Sequence, residues 1–309
     1  MRRSPASRPA RAARIEIRST PAGQPARSCC RGLGGSGRCE RSIAGPARRE
    51  PLLEGGSRAG RGGIPCAFQG QARHGMMDRT YLREGAAALG IALDERQLDQ
   101  FALFEEMLAD WNQRLNLTRV PREQTVALHF LDSLAAARGA DLSGGGRLID
   151  VGTGAGFPGL PLKIAFPGLE VVLLDSTRKK LGFVEAVIDR LGLAGTRTLH
   201  ARAEEVARER AYRQRFDFAS ARAVAALPVL AGWLLPFVRV GGTALALKSR
   251  EAGTEIEEAR SVVESLGGRL LEPARVRLPG TQIERLIVPI RRVRPAAPAP
   301  GRLHPALPR

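Results

Sequence analysis

One glycine-dense stretch carries the residue types and spacing best suited to holding a small ligand. Residues 147–159 read Arg-Leu-Ile-Asp-Val-Gly-Thr-Gly-Ala-Gly-Phe-Pro-Gly, an apolar run followed by an acid and a turn that opens a helix. Glycine accepts positive φ angles and has no Cβ, so such a turn lets the backbone approach a ligand closely. The candidate binding residues in this turn are Asp150, Gly152, Gly154, Gly156 and Phe157.

The spacing of this turn separates two classes of ligand. Dinucleotide sites carry the pattern G-x-G-x-x-G or G-x-G-x-x-A, whereas Phe157 occupies the third small position here. Asp150 would also bring a negative charge near a pyrophosphate in a half-buried crevice, which is unfavourable. The acid instead suits a cationic ligand with an amino group, and S-adenosylmethionine, with its sulfonium and α-ammonium groups, is such a ligand. A purely structural turn in an α/β protein is the alternative.

Residues that follow the other predicted strands extend this candidate site, because ligands of open α/β sheets bind outside the carboxyl ends of the strands. Asp175 is placed to accept hydrogen bonds from ribose hydroxyls, and Ala203 with Glu204 to read an adenine edge. Helix capping for Asp175 and a solvated first-turn acid for Glu204 are the structural alternatives. Arg222 and Lys248 are cations at the mouth of the predicted cleft. They are placed to contact RNA phosphate or a base edge, and surface charge without a role is the alternative.

A sheet must position these residues, and the chain from Arg147 alternates strand and helix patterns. The predicted parallel strands cover 147–151, 170–174, 196–200, 216–220 and 242–247, with helices between them and another at 252–266. Residues 270–278 and 283–290 flank Pro279-Gly280 with no helix between them, which predicts an antiparallel hairpin. The pattern therefore predicts a mostly parallel sheet with helices on both faces.

Helical patterns precede the sheet, and residues 76–140 are predicted to form a helical cap. Residues 81–89 predict a short helix, and Asp94 is the predicted N-cap of a longer one. Apolar residues of the longer helix recur at steps of three or four, as core packing requires: Leu98, Phe101, Phe104, Leu108, Trp111 and Leu115. Pro121 is expected at the first position of a further helix that carries His129. This histidine either faces a substrate or is a structural hydrogen-bonding group.

Charge and composition set the two ends of the chain apart from its middle. The formal charge of +17 arises mainly in residues 1–75, with 15 Arg and 4 Glu, and in residues 291–309, with 5 Arg. Residues 76–290 hold 28 Lys and Arg against 27 Asp and Glu. Both ends are predicted to be disordered, and a catalytic domain is expected over 141–290. Because Met76-Met77 stands where the helical pattern begins, residues 1–75 are either an extension upstream of the natural start or a solvated tail.

The cysteines and the longest uncharged stretch bear on location. All four cysteines lie in the first of these ends: Cys29, Cys30, Cys39 and Cys66. They lack paired C-x-x-C spacing and a nearby set of histidines, so no metal site is expected. A middle region without cysteine is compatible with a reduced, cytoplasmic setting. Residues 223–238 are uncharged but too short for a membrane span, and prolines interrupt them, so they predict a buried helix and no membrane association.

Seven segments together resemble one enzyme family, the bacterial small-subunit ribosomal RNA guanine-N(7)-methyltransferases, also called glucose-inhibited division protein B. In family order across 77–290 they are 116–118 (Asn-Leu-Thr), 129–133 (His-Phe-Leu-Asp-Ser), 149–159 (the glycine turn), 173–176 (Leu-Leu-Asp-Ser), 202–205 (Arg-Ala-Glu-Glu), 220–223 (Ser-Ala-Arg-Ala) and 246–248 (Ala-Leu-Lys). The glycine turn alone indicates a class I methyltransferase. Its continuation Phe-Pro-Gly and the two cap segments are more specific to this family.

The resemblance implies a Rossmann-like class I S-adenosylmethionine-dependent methyltransferase fold with a mostly parallel, seven-stranded sheet. It implies methyl transfer to N(7) of one guanine in the decoding-region loop of 16S ribosomal RNA. It assigns Gly152, Phe157, Ala203, Glu204 and Arg222 to the cofactor site, with Arg222 shared with the substrate. The candidates for contact with 16S ribosomal RNA or the small ribosomal subunit are Asn116, Thr118, His129 and Lys248.

Guanine N(7) carries a lone pair and no proton, so its attack on a sulfonium methyl needs no general base. Catalysis then rests on alignment of nucleophile, methyl and sulfur, with Arg222 or Lys248 as the catalytic candidates that hold the nucleotide. The alternatives are a small-molecule or other RNA methyltransferase of the same fold, a nicotinamide oxidoreductase, and a non-catalytic protein that binds RNA through its Arg-rich first 75 residues. A monomer is expected.

Overall fold

The computed structural model describes residues 77–222 and 225–295. The predictions made for residues 1–75, which include all four cysteines, lie outside the described residues. The same holds for the part of the Pro/Ala/Arg end beyond Pro295 and for the first two residues of the uncharged stretch 223–238.

One sheet organises the described chain. Its strands run in the order β3-β2-β1-β4-β5-β8-β6, with β7 also pairing with β8. Strands β1 to β5 pair in parallel, and β8 pairs antiparallel with β5 and with both short strands, β6 and β7. The strands are β1 Gly146–Val151, β2 Leu169–Asp175, β3 Thr196–His200, β4 Phe216–Arg222, β5 Val238–Ser249, β6 Gly268–Leu270, β7 Ala274–Arg277 and β8 Glu284–Arg292. The predicted mostly parallel sheet with an antiparallel end is confirmed.

The predicted strand over 270–278 is instead two short strands, β6 and β7, on the same edge of β8. The interruption at 271–273 contains Pro273, which has no N–H to donate to the ladder and which sheets tolerate at edges. Leu271 still donates its N–H to the Pro289 carbonyl, at 2.9 Å. All seven predicted strands therefore have a counterpart in the sheet, and the strand predicted at its edge is divided into β6 and β7.

The helices have the bounds α1 Arg79–Ala88, α2 Glu95–Leu115, α3 Asp132–Leu134, α4 Gly159–Ala165, α5 Arg178–Leu191, α6 Ala203–Val206, α7 Leu227–Leu234 and α8 Gly253–Ser265. The predicted N-cap at Asp94 is confirmed, since its carboxylate accepts from the Gln97 N–H at 2.7 Å and the Gln97 side chain accepts from the Asp94 N–H at 2.8 Å. Such a reciprocal pair satisfies two donors at the start of a helix.

The prediction that Pro121 is the first residue of a regular helix was wrong. The segment that follows it is an irregular series of helical turns. Pro121 is the N-cap of a 3₁₀ turn, Arg122–Gln124, which leads into a π-helical turn, Val126–Leu131, then α3 and a second 3₁₀ turn, Ala135–Arg138. The Ser133 hydroxyl donates to the His129 carbonyl four residues back, at 2.5 Å. Back-bonding of this kind competes with the regular ladder and bends helices.

Two apolar layers cover the sheet, one on each face. On one face the cap helices, α4 and α5 bury Leu98, Phe101, Phe104, Phe130, Leu148, Leu173, Phe183 and Leu245 in one cluster. On the other face α6, α7 and α8 bury Ile149, Val172, Val206, Leu230, Phe237, Ala259 and Val288. The cap thus shares its core with the sheet. Within the described residues no helix combines the length and the apolarity that crossing a membrane requires.

The first helix also contacts the turn before the last strand. The Tyr81 hydroxyl donates to the Pro279 carbonyl at 2.6 Å, and Gly280 adopts φ 71° against the same tyrosine ring. A Cβ at Gly280 would lie 2.7 Å from a Tyr81 ring carbon, so this close approach requires glycine. The two ends of the described chain are therefore joined on one side of the sheet.

Candidate active site

The parallel register brings the sequence-predicted residues to one edge of the sheet. Asp150 pairs with Leu173 on one side and with Ser220 on the other, which aligns the ends of β1, β2 and β4. Asp175 pairs with His200 at the end of β3, and Arg222 pairs with Leu247 in β5. The glycine turn, Asp175, Ala203-Glu204, Arg222 and Lys248 thus follow five adjacent strand ends.

The glycine turn contains three residues with left-handed backbone: Gly152 at φ 70°, Gly154 at φ 58° and Gly156 at φ 92°. The space around them differs. A Cβ at Gly156 would lie 2.3 Å from a Leu160 methyl, so packing as well as φ demands glycine there. A Cβ at Gly154 would meet only the Gly152 carbonyl oxygen, at 4.0 Å. Gly154 therefore presents an open backbone surface that a ligand can approach.

The N–H groups of this turn are bonded inside the protein. Those of Gly152 and Thr153 donate to the Leu174 carbonyl at 2.8 and 3.1 Å, and those of Gly156 and Phe157 donate to the Thr153 carbonyl at 2.9 and 2.8 Å. A phosphate-binding loop instead points its N–H groups at the ligand. The turn is therefore poorly suited to a pyrophosphate, in agreement with the spacing argument against a dinucleotide.

Asp150 supports the turn from beneath, a structural role that the sequence did not predict. Its side chain is completely buried, accepting from the Ser220 hydroxyl at 2.8 Å and from the Gly159 N–H at 3.0 Å. Burial raises the pKa of this carboxyl to about 6, although these hydrogen bonds and the charge of Arg222 oppose the rise. The acid ahead of the glycines thus fixes the start of α4.

Asp175 lies where the sequence predicted, and it also holds the turn. One carboxylate oxygen accepts from the Gly154 N–H at 2.8 Å and the other from the Thr177 N–H at 2.7 Å. Each carboxylate oxygen has a second lone pair, so ribose hydroxyls can still donate to it. Ala203, half-buried, and Glu204, exposed, begin α6 on the next strand end, which leaves the Glu204 carboxylate accessible.

Arg222 is the most highly connected cation of the site. Its Nη1 donates to the Leu128 carbonyl at 3.0 Å and to the Asp132 carboxylate at 3.1 Å, and its Nη2 donates to Nδ1 of His129 at 3.0 Å. Its guanidinium carbon lies 5.0 Å from the centroid of the Phe157 ring. Burial lowers the pKa of Arg222, and Asp132 opposes this by stabilising the charge.

Phe157 is the centre of a stack between the cap and the turn. The His129 ring lies 4.3 Å from it at an interplanar angle of 10°, and the Phe104 ring lies 5.3 Å away at 20°. Phe157 is only 5% exposed. Phe157, which breaks the dinucleotide pattern, is thus the residue through which the cap packs against the glycine turn.

The hydrogen bonds of His129 define its protonation state. Arginine has only donors, so Nδ1 must be the unprotonated acceptor for Arg222. Nε2 then carries the proton and donates to the Thr118 hydroxyl at 2.7 Å, which also accepts from the Val120 N–H at 3.0 Å. Burial, followed by the charge of Arg222, lowers the pKa of His129 to about 3. The imidazole is therefore neutral at physiological pH, and its two nitrogens are both engaged.

Asp132 and Arg285 belong to this cluster but were not among the predicted site residues. Nε of Arg285, at the start of β8, donates to the Asp132 carboxylate at 2.8 Å, so Asp132 lies between two arginines. Asp132 was within reach of sequence reasoning, since it stands three residues after His129 and so on the same side of a helix. Arg285 follows Asp132 by 153 residues, and no local pattern marks it.

Two of the predicted RNA contacts, Lys248 and Asn116, lie in different surroundings, and Lys248 has partners inside the protein. Lys248 pairs with Glu255 at 2.7 Å and donates to the Ala225 carbonyl at 2.9 Å, with 11% of its side chain exposed. Glu255 also accepts from the N–H of Leu227 at 2.8 Å, so this pair ties the end of β5 to the start of α7. Asn116 is exposed and ends α2 at φ 46°, a left-handed conformation that asparagine tolerates. The structure therefore does not leave Lys248 as a free cation at the cleft mouth.

The arrangement offers hydrogen-bond acceptors for a hydroxylated ligand, an aromatic wall and a fixed cation. The described residues contain no group of three or more His, Cys, Asp or Glu side chains that could hold a metal ion. His129 has no free atom with which to remove a proton, because both of its ring nitrogens are hydrogen-bonded. The site is thus suited to a reaction governed by positioning.

The comparisons with known proteins agree on one family. The model of the family described as rRNA small subunit methyltransferase G matches residues 97–279. The ribosomal RNA small subunit methyltransferase G of Lachnoclostridium phytofermentans is 42% identical over 220 residues, covering 71% of this chain and 91% of the relative. The protein of the same name from Acetivibrio thermocellus is 43% identical over 220 residues, covering 70% and 89%.

Among solved structures, the crystal structure of TrmN from Thermus thermophilus has a TM-score of 0.43 at 19% identity, covering 54% of this chain and 53% of that one. A likeness of this size does not bear on the reaction. The family model, in contrast, spans more than half of the chain, and the relatives are covered along most of their length. The chain therefore belongs to the family of small-subunit ribosomal RNA methyltransferases G.

Proposed function

We propose that the chain transfers the methyl group of S-adenosylmethionine to N(7) of one guanine in the decoding-region loop of 16S ribosomal RNA, in the cytoplasm. The observation that carries the proposal is the meeting, at adjacent strand ends, of the open Gly154 backbone, the Asp175 carboxylate and the Arg222 guanidinium. Family membership supports ribosomal RNA as the substrate, and the expected monomer is part of the same proposal.

The residues present suit the cofactor. Gly154 has space above its backbone, Asp175 retains acceptors for ribose hydroxyls, and Ala203-Glu204 lies at the next strand end for the adenine. Glycines 152 and 156 keep the turn in its left-handed conformation. When bound, S-adenosylmethionine would supply a methyl group on a positively charged sulfur, which is the electrophile of the reaction.

The hydrogen bonds of both His129 ring nitrogens support guanine N(7) as the acceptor atom, because this histidine cannot then act as a base. N(7) has an in-plane lone pair and no proton to lose, so the protein needs only to align the two reacting groups. Alignment at near-attack distance supplies several kcal/mol in well-oriented reactions. Arg222 is well placed for this role, because Asp132, Leu128 and His129 fix its guanidinium against Phe157.

Incubation with labelled methyl donor and small ribosomal subunits that lack the modification tests the proposal. We expect label on a single guanine, released under conditions that cleave N(7)-methylguanosine. Arg222→Ala should lower kcat roughly 100-fold, as loss of a positioned donor does. Arg277→Ala, at a solvent-exposed arginine of β7 paired with Glu284, is the matched control and should keep full activity.

Three outcomes would contradict the proposal. Label on a small metabolite and not on RNA would favour a small-molecule methyltransferase, and label at another RNA atom would refute the N(7) assignment. The third outcome is that neither the full-length protein nor the protein without residues 1–75 methylates RNA, and that the deletion abolishes RNA binding. This outcome would favour a non-catalytic protein that binds RNA through residues 1–75. Unchanged methylation after the deletion would reject that alternative.

A further inference from the structure

The region between β2 and β4 carries an excess of positive charge. Residues 176–215 hold ten Lys and Arg against five Asp and Glu, whereas the other described residues hold 21 against 22. The positive excess of the described chain thus lies in this one region. Half of the ten cations fall on the β3–β4 connection and are called the arginine strip here: Arg202, Arg208, Arg210, Arg213 and Arg215.

The arginine strip is accessible, and its five arginines outnumber the three glutamates of the same connection, Glu204, Glu205 and Glu209. Arg202, Arg208, Arg210 and Arg215 are exposed, and Arg213 is half-buried. Within the described residues none of the five forms an ion pair, although exposed arginines elsewhere do, such as Arg239 with Asp217 at 2.7 Å and Arg260 with Glu257 at 3.0 Å. Uncompensated like charges close together repel one another, and an anion bound across them would relieve that repulsion.

The path of the strip connects it with the candidate active site. Arg202 directly precedes Ala203 at the predicted adenine position, and Arg215 directly precedes β4, whose far end carries Arg222. A strand of seven residues rises by about 20 Å at 3.3 Å per residue. The strip therefore leads from the edge of the crevice towards the opposite edge of the sheet, far enough to follow several nucleotides of one strand.

The backbone that carries the strip is held in place. The Gln214 and Arg215 N–H groups donate to the carbonyls of Pro236 and Phe237 at 2.9 and 3.0 Å. Tyr212 is buried beneath the connection, with the guanidinium carbon of Arg197, in β3, 5.5 Å from its ring centroid. A charged surface that is ordered before binding loses less entropy on association.

We propose that the arginine strip binds the sugar-phosphate backbone of the ribosomal RNA next to the methylated nucleotide. Contacts of arginine with phosphate fix the register and orientation of a nucleic acid without reading its sequence. The strip would thus position the RNA, while the residues around Arg222 act on the base. This inference rests on the proposed function.

The test compares two full-length variants that each lose two positive charges. Arg208→Gln/Arg210→Gln changes the strip, and Arg269→Gln/Arg275→Gln changes two exposed arginines on β6 and β7, at the other edge of the sheet. Affinity for undermethylated small subunits is measured over a range of salt concentrations, together with kcat, KM, S-adenosylmethionine affinity and thermal unfolding.

For the strip variant we expect a higher KM for subunits. We also expect the slope of log K against log salt concentration to be less steep by roughly 1.4 to 1.8, which corresponds to two lost phosphate contacts. Its kcat, cofactor affinity and unfolding temperature should equal those of the wild type, and the control variant should match the wild type in every measurement. Equal effects of both variants, or no effect of the strip variant, would overturn the inference. If the wild type does not methylate subunits at all, the proposed function itself fails.

Discussion

Asp150 and His129 are buried titratable groups whose pKa values move in opposite directions from the ordinary ones. Burial raises the pKa of Asp150 from 3.8 to about 6, so the folded protein holds this proton more tightly than the unfolded chain. Burial and Arg222 lower the pKa of His129 from 6.5 to about 3, so the folded protein resists a proton that the unfolded chain accepts. Asp150 therefore weakens the fold as the pH rises from 3.8 to about 6, and His129 weakens it as the pH falls from 6.5 to about 3.

These two contributions cancel between pH 4 and 6 and should be separable by mutation. Relative to the wild type, the unfolding free energy of Asp150→Asn should increase with pH across this window, by about 1.4 kcal/mol per unit. That of His129→Gln should decrease with pH by a similar amount. Denaturant titrations at several pH values measure both slopes. Parallel pH profiles for the wild type and both variants would show that neither group carries a shifted pKa.

At the level of single residues, the sequence predicts where site residues lie in the fold better than it predicts which groups they hydrogen-bond. Asp175 and Arg222 lie at the strand ends where the pattern put them, because strand and helix alternation fixes which residues end each strand. The structural role of Asp150 was not predicted, since the charge of an aspartate does not reveal that the Ser220 hydroxyl and the Gly159 N–H donate to its oxygens. Likewise, the ion pair of Lys248 with Glu255 depends on how α8 packs beside β5.

Within the glycine turn, two residues of the same type should respond differently to the same substitution. Gly154→Ala places its methyl in open space, so the fold should lose only the left-handed cost of about 1–2 kcal/mol, while cofactor affinity falls sharply. Gly156→Ala forces a methyl against Leu160 in addition and should destabilise the protein by about 3 kcal/mol. Thermal unfolding and calorimetric titration with S-adenosylmethionine separate the two effects. Equal loss of stability in both variants would mean that the Gly154 surface is not open.

For whole elements, the sequence predicted the order and direction of the strands but not their irregularities. The strands over 147–174 carry apolar runs long enough to identify them, and the turn at Pro279-Gly280 marked the hairpin. The break between β6 and β7 and the π-helical turn that carries His129 arise from local competition for hydrogen bonds, at Pro273 and Ser133. Hydrophobic periodicity does not record such competition, so these features had to come from the structure.

Across the whole molecule, the cap and the sheet behave as one packed body, because Phe104 of α2 contacts Phe157 of the glycine turn and Phe183 of α5. Phe104→Ala should lower the unfolding free energy by about 3–5 kcal/mol, as large truncations in cores do. It should also weaken cofactor binding under conditions where the variant is folded, since Phe157 loses its support.

Phe237→Ala is the matched control for that variant. It removes a buried phenylalanine from the opposite face of the sheet, where its partner is Phe216 at 6.2 Å between ring centroids. We expect a similar loss of stability with cofactor affinity unchanged in the folded protein. Cofactor affinity that falls equally in both variants would indicate a general loosening of the fold and would argue against a specific link from the cap to the turn.

The reversed direction of β8 has a consequence for biosynthesis. A chain translated only as far as Ser249 already contains every parallel strand, the glycine turn and Arg222, yet the outer edge of β5 has no neighbour and Asp132 has one arginine in place of two. The hydrogen bond from the Tyr81 hydroxyl to the Pro279 carbonyl likewise needs the turn before β8. The cluster around His129 is therefore completed only when the final hairpin has emerged from the ribosome.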